Sequence, residues 1–126
     1  MSSKVLIVDD SKLARIVVGK ILAGLQPDWT KIEASNADEA EALMVAGGFD
    51  LAVIDFNMPG RNGLELAEKI RSAFPDMPIA LATANIQDEI IGRARELGVT
   101  FVPKPLTEDG LRGYISGAAL RLRQKG

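Results

Sequence analysis

Two hydrophobic periods alternate along the chain. Runs in which every position is apolar occur at Val5–Val8, Leu51–Ile54 and Ile79–Ala82, each followed at once by a polar residue. Such runs read as strands buried on both faces, the habit of a parallel sheet. Between them the apolar spacing changes to three and four. Ser11 opens a helical pattern with Leu13, Ile16, Val17, Ile21 and Leu25 on one face, broken by Gln26-Pro27-Asp28. Trp29 to Ser35 is a weaker strand, Ile32 and Ala34 alternating with Lys31 and Glu33, as expected near a sheet edge. Asn36, with Glu39 three places on, is an N-cap signature for a helix through Ala46 that Gly47-Gly48 ends. Asn62 caps a helix carrying Leu64, Ala67, Ile70 and Phe74 and closed by Pro75, with Glu65 and Lys69 spaced for an i,i+4 ion pair. A helix from about Ile86 to Leu97 follows, with Gly98 as its stop. The last strand is Thr100 to Pro105, and Thr107, with Glu108 and Asp109 in the first turn, starts a helix to about Gln124.

Five strands alternating with five helices predict an α/β fold, a doubly wound five-stranded parallel sheet with helices on both faces and right-handed crossovers. Pro103 cannot donate to a ladder, so the fifth strand belongs at an edge. The flavodoxin-like order 2-1-3-4-5 satisfies this and sets the first strand beside the third. The organising stretch is Leu51 to Gly60, where a buried strand runs into Asp55 and then into the Pro59-Gly60 break. Residues 1–126 are expected to form one domain without a separate output domain, since no linker, repeat or low-complexity tail interrupts them.

Composition narrows the chemistry. Apolar residues make up 47% and charged residues 25% of 126, the mix of a globular protein. A net charge of −2 gives no basic patch to make nucleic acid the main partner. Without Cys there is no disulfide or thiol chemistry, and without His the commonest general base and zinc ligand are missing. No apolar run approaches a membrane span, and Met1-Ser2-Ser3-Lys4 leads straight into a strand rather than a signal peptide, so a cytoplasmic protein is expected.

The predicted topology sends polar groups from four strands to one rim. These are Asp9 and Asp10 from the first, Asp55 from the third, Thr83 from the fourth and Lys104 from the fifth. Three carboxylates in a partly desolvated site repel one another, and one lysine leaves two formal charges uncompensated. A few hard oxygen ligands suit Mg²⁺ with waters completing its octahedron. Such a cation beside an ammonium and a hydroxyl makes a phosphoryl site, in which an Asp carboxylate can itself be the nucleophile. Taken singly, Asp9-Asp10 reads equally well as a solvated turn, Thr83 as a cap and Lys104 as a surface charge. The set favours function.

Asp9-Asp10, Asp55, Thr83 and Lys104-Pro105, with Asp55-Phe56-Asn57-Met58-Pro59 continued by Gly63-Leu64-Glu65-Leu66, resemble the receiver domain of two-component response regulators, and the single-domain chemotaxis-like type in particular. The resemblance covers essentially the whole chain. It implies that Asp55 is the phospho-acceptor. It implies that Asp10, Asp55 and the Asn57 backbone carbonyl bind Mg²⁺ directly and Asp9 through water. Thr83, with Ala84 after it, and Lys104 would bind the phosphate, across a cis peptide bond from Lys104 to Pro105. Phe101 would be the aromatic that swings inward when Thr83 moves. Relatives often carry Tyr there, so an output contact through that hydroxyl is unavailable. The acidic pair that often precedes this aromatic in relatives dimerising through the fourth helix, fifth strand and fifth helix is absent from Gly98-Val99-Thr100-Phe101. Asn57 and Asn85 occupy the two places where the family tunes dephosphorylation.

The implied partners are a histidine kinase or phosphotransfer protein as donor and an unidentified output protein, with no direct nucleic-acid or membrane contact. The implied activity is self-catalysed transfer and hydrolysis only. Two rivals come from other classes. A small aspartate-nucleophile phosphatase usually needs a second Asp two places past the nucleophile, where this chain has Asn57. A flavodoxin-like flavin binder needs a Ser/Thr-rich phosphate loop after the first strand, where Asp9-Asp10 would repel phosphate. Gly92 in the fourth helix reads as a site of loosening or of close packing, Gly113 and Gly117 in the fifth as sites for close approach of a partner or for tight packing on the sheet, and Arg112, Arg121, Arg123 and Lys125 as a basic end to the final helix.

Overall fold

A computed structural model describes residues 3–84 and 87–125. The elements are β1 (Lys4–Val8), α1 (Lys12–Leu25), β2 (Thr30–Ala34), α2 (Ala37–Ala46), β3 (Leu51–Asp55), α3 (Gly63–Ala73), β4 (Ile79–Thr83), α4 (Asp88–Glu96), β5 (Thr100–Pro103) and α5 (Glu108–Lys125). All strand pairs are parallel and the order is β2-β1-β3-β4-β5. β5 lies at an edge, where Pro103 withholds no needed donor.

Strand pleating divides the apolar runs between two cores. Leu6, Val8, Ala52 and Ile54 pack with α2, α3 and α4, whereas Val5, Ile7, Leu51 and Val53 pack with α1 and α5. β3 and β4 are buried at every position. Each Leu or Ile so enclosed contributes roughly 1.5–3 kcal/mol. This double burial makes the central strands a rigid base for whatever stands at their ends.

Four expectations need correction. In α1 the buried residues are Val18 and Leu22, while Leu13, Ile16 and Val17 are 71%, 41% and 40% exposed. Apolar positions spread around more than one side of this helix, so spacing alone offered two stripes. The sheet takes the one through Val18 and Leu22, flanked by Ile21 and Leu25. In α3, Leu66 is fully buried and Phe74 is 37% exposed, because the chain leaves the helix at Phe74. Glu65 does not pair with Lys69. Its carboxylate accepts the Asn62 backbone N–H at 2.9 Å, closing a capping box, and Lys69 instead reaches Glu41 of α2 at 3.6 Å. Finally, Gly92, Gly113 and Gly117 face open space, so close packing within the fold does not explain them.

The other boundaries follow local chemistry. Asn36 accepts the Glu39 N–H at 2.7 Å, and Thr107 accepts the Gly110 N–H at 3.0 Å. Gly47 and Gly98 take φ of 88° and 68° just past their helices, a conformation that disfavours other residues. α4 begins at Asp88 without a side-chain cap. The expected start at Ile86, and Asn85, lie outside the described residues. β5 stops at Pro103, two residues short of the expected end.

At the amino ends of β4 and β5 the Arg71 guanidinium donates to five backbone carbonyls, those of Leu97, Phe74, Pro75, Met77 and Gly98, at 2.7–3.2 Å. It joins the end of α3 to the loop after α4.

Candidate functional site

Asp9, Asp10, Asp55, Thr83 and Lys104 meet at the carboxyl-end rim. One carboxylate oxygen from each of Asp9, Asp10 and Asp55 lies within 4.8 Å of the other two. The strand order dictates this, since β1 and β3 are neighbours in register, with Val8 opposite Ile54. Asp9 and Asp55 are buried and Asp10 is exposed, so the cluster opens to solvent on one side.

Backbone bonds hold Asp9 and the chain just after Asp55. The Asp9 N–H donates to the Ala34 carbonyl at 3.1 Å, and its Oδ1 accepts the Ser11 N–H at 2.9 Å. Ser11 in turn caps α1, accepting the Ala14 N–H. Beyond Asp55, the Phe56 N–H donates to the Ala82 carbonyl at 2.8 Å and the Phe56 carbonyl accepts the Gly63 N–H at 2.9 Å. The chain turns there into the loop that carries exposed Asn57.

Lys104 enters from the next strand but one. Its Nζ lies 2.7 Å from Asp55 Oδ1 and 3.6 Å from Asp9 Oδ2. The Lys104 backbone N–H donates to the Thr83 carbonyl at 3.0 Å, and the Lys104–Pro105 peptide bond is cis. Thr83 is buried at the end of β4, opposite Pro103, and Ala84 after it is exposed. Phe101 is half-buried on β5, opposite Leu81.

Burial pushes the Asp55 carboxyl above its ordinary value of 3.8. Lys104 pulls it back down, and Asp9 and Asp10 add to the rise. Burial works against the Lys104 charge, but Asp55 and Asp9 outweigh it and hold the ammonium above its usual value. The 2.7 Å approach is an ion pair without hydrogen-bond alignment, and Asp55 Oδ1 is the one buried side-chain oxygen or nitrogen among the described residues with no hydrogen bond. Buried oxygens are rarely left so. A buried carboxylate oxygen without a hydrogen bond, within a three-acid cluster, fits a divalent cation of the Mg²⁺ type.

Sequence reasoning missed Arg15. Its Nη1 donates to the Asp9 carbonyl at 2.6 Å and its Nε to Glu33 at 2.8 Å, tying the acid-bearing turn to β2. The only signal was a basic residue one turn into the helix that follows the acids. A hollow of about 350 Å³ lies at the opposite rim, lined by Phe49, Asp50, Pro75, Met77 and Leu122 among others, and shares no residue with the acids.

The response regulator receiver domain model matches residues 5–116. Chemotaxis protein CheY-3 of Vibrio cholerae is 35% identical over 122 residues, covering 94% of this chain and 93% of that protein. The cyclic di-GMP phosphodiesterase response regulator RpfG of Xanthomonas campestris is 33% identical over 124 residues, but the chain spans only 32% of its length. Among solved structures, response regulator protein TrrA from Thermotoga maritima in complex with Mg²⁺-BeF superposes with a TM-score of 0.81 at 28% identity, over 92% of this chain and 98% of that one. Among the described residues no helix is long and apolar enough to cross a membrane. With a five-stranded sheet of this order, acids converging from β1 and β3 and a lysine from the end of β5, the chain belongs to the response regulator receiver domain family and is of its chemotaxis-like type.

Proposed function

We propose that the chain accepts a phosphoryl group on Asp55 from a histidine kinase or phosphotransfer protein and thereby alters the face formed by α4, β5 and α5 toward an output protein. The observation that carries this reading is the convergence of Asp9, Asp10 and Asp55 in one cluster, with the Lys104 ammonium 2.7 Å from Asp55 Oδ1.

Asp10, Asp55 and the Asn57 carbonyl would hold Mg²⁺, with Asp9 behind them. When bound, the cation neutralises charge on the phosphoryl oxygens and on the acids around it. In transfer, an Asp55 oxygen attacks phosphorus, the O–P bond forms as the donor's P–N bond breaks, and the electron pair leaves on the imidazole, which is then protonated. Hydrolysis reverses the gain, since water breaks the O–P bond and releases inorganic phosphate. Lys104 is placed to follow the negative charge from the Asp55 carboxylate to the new phosphoryl oxygens. Thr83 supplies a hydroxyl from the neighbouring strand, and the small Ala84 leaves the entrance open. Phe101 lies on the strand beside β4, where a shift of Thr83 would be felt.

Acetyl phosphate or beryllofluoride with Mg²⁺ tests this. Mass spectrometry of the acetyl phosphate reaction and ¹⁹F spectra of the beryllofluoride mixture are expected to show one Mg²⁺-dependent adduct in the wild type and none in Asp55→Ala. An adduct of equal stoichiometry in Asp55→Ala overturns the assignment. Multiple turnover of a small phosphate ester would instead favour the phosphatase.

A further inference from the structure

Gly63, the first residue of α3, is built against the acceptor's own backbone. An ideal Cβ at this position would lie 2.2 Å from the Asp55 carbonyl oxygen, 2.8 Å from the Asp55 carbonyl carbon and 2.9 Å from Phe56 Cα. All three neighbours are main-chain atoms, so no rotamer change relieves the overlap. Gly60, Gly92, Gly113 and Gly117, by contrast, have nothing within 4 Å of the same construction. The contact is held from both sides. Asp55–Phe56 is bonded to β4 through the Phe56 N–H and to Gly63 through the Phe56 carbonyl, while the Asn62–Glu65 capping box fixes the end of α3.

We propose that Gly63 is a positioning residue for Asp55: the bare backbone at the start of α3 sets how deeply the acceptor sits among Asp9, Asp10 and Lys104. This rests on the phospho-acceptor reading above. A methyl at 63 forces a main-chain displacement on the order of 1 Å before an ordinary contact is restored. α3 resists, because Leu66, Ala67 and Ile70 anchor it in the core. The yielding part is the junction of β3 with its loop, where the chain leaves the ladder. A shift of that size carries the Asp55 carboxylate out of register with its partners, because ion coordination and charge-assisted contacts tolerate only tenths of an ångström. Alanine is the better helix former, so without this contact the substitution would strengthen α3.

The test compares the wild type, Gly63→Ala and Leu66→Ala, the last removing core contacts from the same helix while leaving residue 63 as glycine. Urea unfolding reports the fold, calorimetric titration reports Mg²⁺, and ¹⁹F spectra report beryllofluoride. Gly63→Ala is expected to unfold cooperatively while losing about tenfold or more in Mg²⁺ affinity. Leu66→Ala is expected to lose stability and keep its Mg²⁺ affinity within about twofold. Wild-type Mg²⁺ affinity in Gly63→Ala, or an equal loss in Leu66→Ala, overturns the proposal. Should Gly63→Ala not fold, amide exchange in the wild type decides. Mg²⁺ with beryllofluoride is expected to slow exchange at Gly63 well beyond Leu66, and equal slowing at both refutes the link. A wild type that binds neither probe defeats the phospho-acceptor reading itself, whereas a wild type that binds beside an unaffected Gly63→Ala defeats only the role of Gly63.

Discussion

Lys104 and Arg71 stand at opposite ends of one sheet, and each aims a partly buried cation at oxygen. Arg71 meets five neutral backbone carbonyls and every nitrogen of its guanidinium is engaged. Lys104 meets carboxylates, and after the pairing Asp55 Oδ1 still lacks a hydrogen bond. The first arrangement is finished in its hydrogen bonding, since every guanidinium nitrogen has a carbonyl acceptor. The second holds excess negative charge that its lysine does not balance, and the remainder is an invitation to a cation and a phosphoryl group. A cation among oxygens therefore marks structure or function according to what is left unsatisfied around it.

Substitution at the finished end is expected to have the largest effect on stability. Arg71→Met strands five carbonyls that tie the end of α3 to the loop after α4. Their hydrogen bonds to a charged donor, partly exposed and not additive, amount to about 3 kcal/mol. Urea unfolding is expected to show that loss while Mg²⁺ affinity stays at the wild-type level. Arg71→Lys is not expected to rescue it, because an ammonium offers three donors from one point. A change in Mg²⁺ affinity alongside the loss would show that the two rims are coupled.

At the unfinished end the sign reverses. Lys104→Met removes the charge that competes with a cation for Asp55, so Mg²⁺ affinity is expected to rise, by about tenfold or 1.4 kcal/mol. Phosphoryl-analogue binding falls in the same variant, because the ammonium that would meet the phosphoryl oxygens is gone. Calorimetry with Mg²⁺ alone and then with beryllofluoride separates the two effects. A fall in Mg²⁺ affinity would mean that Lys104 orders the acids rather than opposing the cation.

Asp55 gives a smaller, pH-dependent effect. Its folded-state value is raised above 3.8, chiefly by burial. A raised value means that the folded state favours the protonated form. The stabilisation is complete below pH 3.8 and is lost as pH rises through the folded-state value. The isosteric Asp55→Asn escapes that loss. Without divalent cations it is expected to melt about 3–5 °C above the wild type at neutral pH, about 1 kcal/mol of relief. The gap closes on acidification below 3.8, and Mg²⁺ narrows it by stabilising the wild type alone. Thermal melts across pH, with and without Mg²⁺, measure both.

The two rims also differ in how far the sequence revealed them. The convergence at the acid-bearing rim was legible because its residues stand at strand ends, and strand ends can be read from apolar runs stopped by Asp9, Asp55 and Thr83. Sheet order then brought them together. Arg71 carried no such mark, because backbone carbonyls are invisible in a sequence and the guanidinium gathers them from two segments far apart in the chain. Arg15 was missed for the same reason, since its main target is the Asp9 carbonyl. The face of α1 was misread because Val17 and Val18 are both apolar and only the sheet chooses between them. Glu65 was assigned to Lys69 by spacing, but the capping interaction is nearer and needs no long side chain to be ordered. Gly63 was visible as part of a motif, yet its reason lies in a contact with a residue eight places earlier.

The smallest expected effect is the sharpest check on the comparison. Arg112 lies 2.6 Å from Asp109 and 2.9 Å from Glu108, as near its acids as Lys104 is to Asp55. By distance alone the two cations are equivalent. They differ in setting, because Arg112 and both its partners are exposed on the first turns of α5, where water and salt satisfy whatever the pair does not. Arg112→Gln is therefore expected to leave the urea midpoint, the Mg²⁺ affinity and the beryllofluoride spectrum unchanged within error, at low salt and at high. If it instead shifts Mg²⁺ binding, charge is acting on the rim from well outside the acid cluster, and the contrast between Lys104 and Arg71 is about net field rather than about a buried oxygen held by an ion pair without a hydrogen bond.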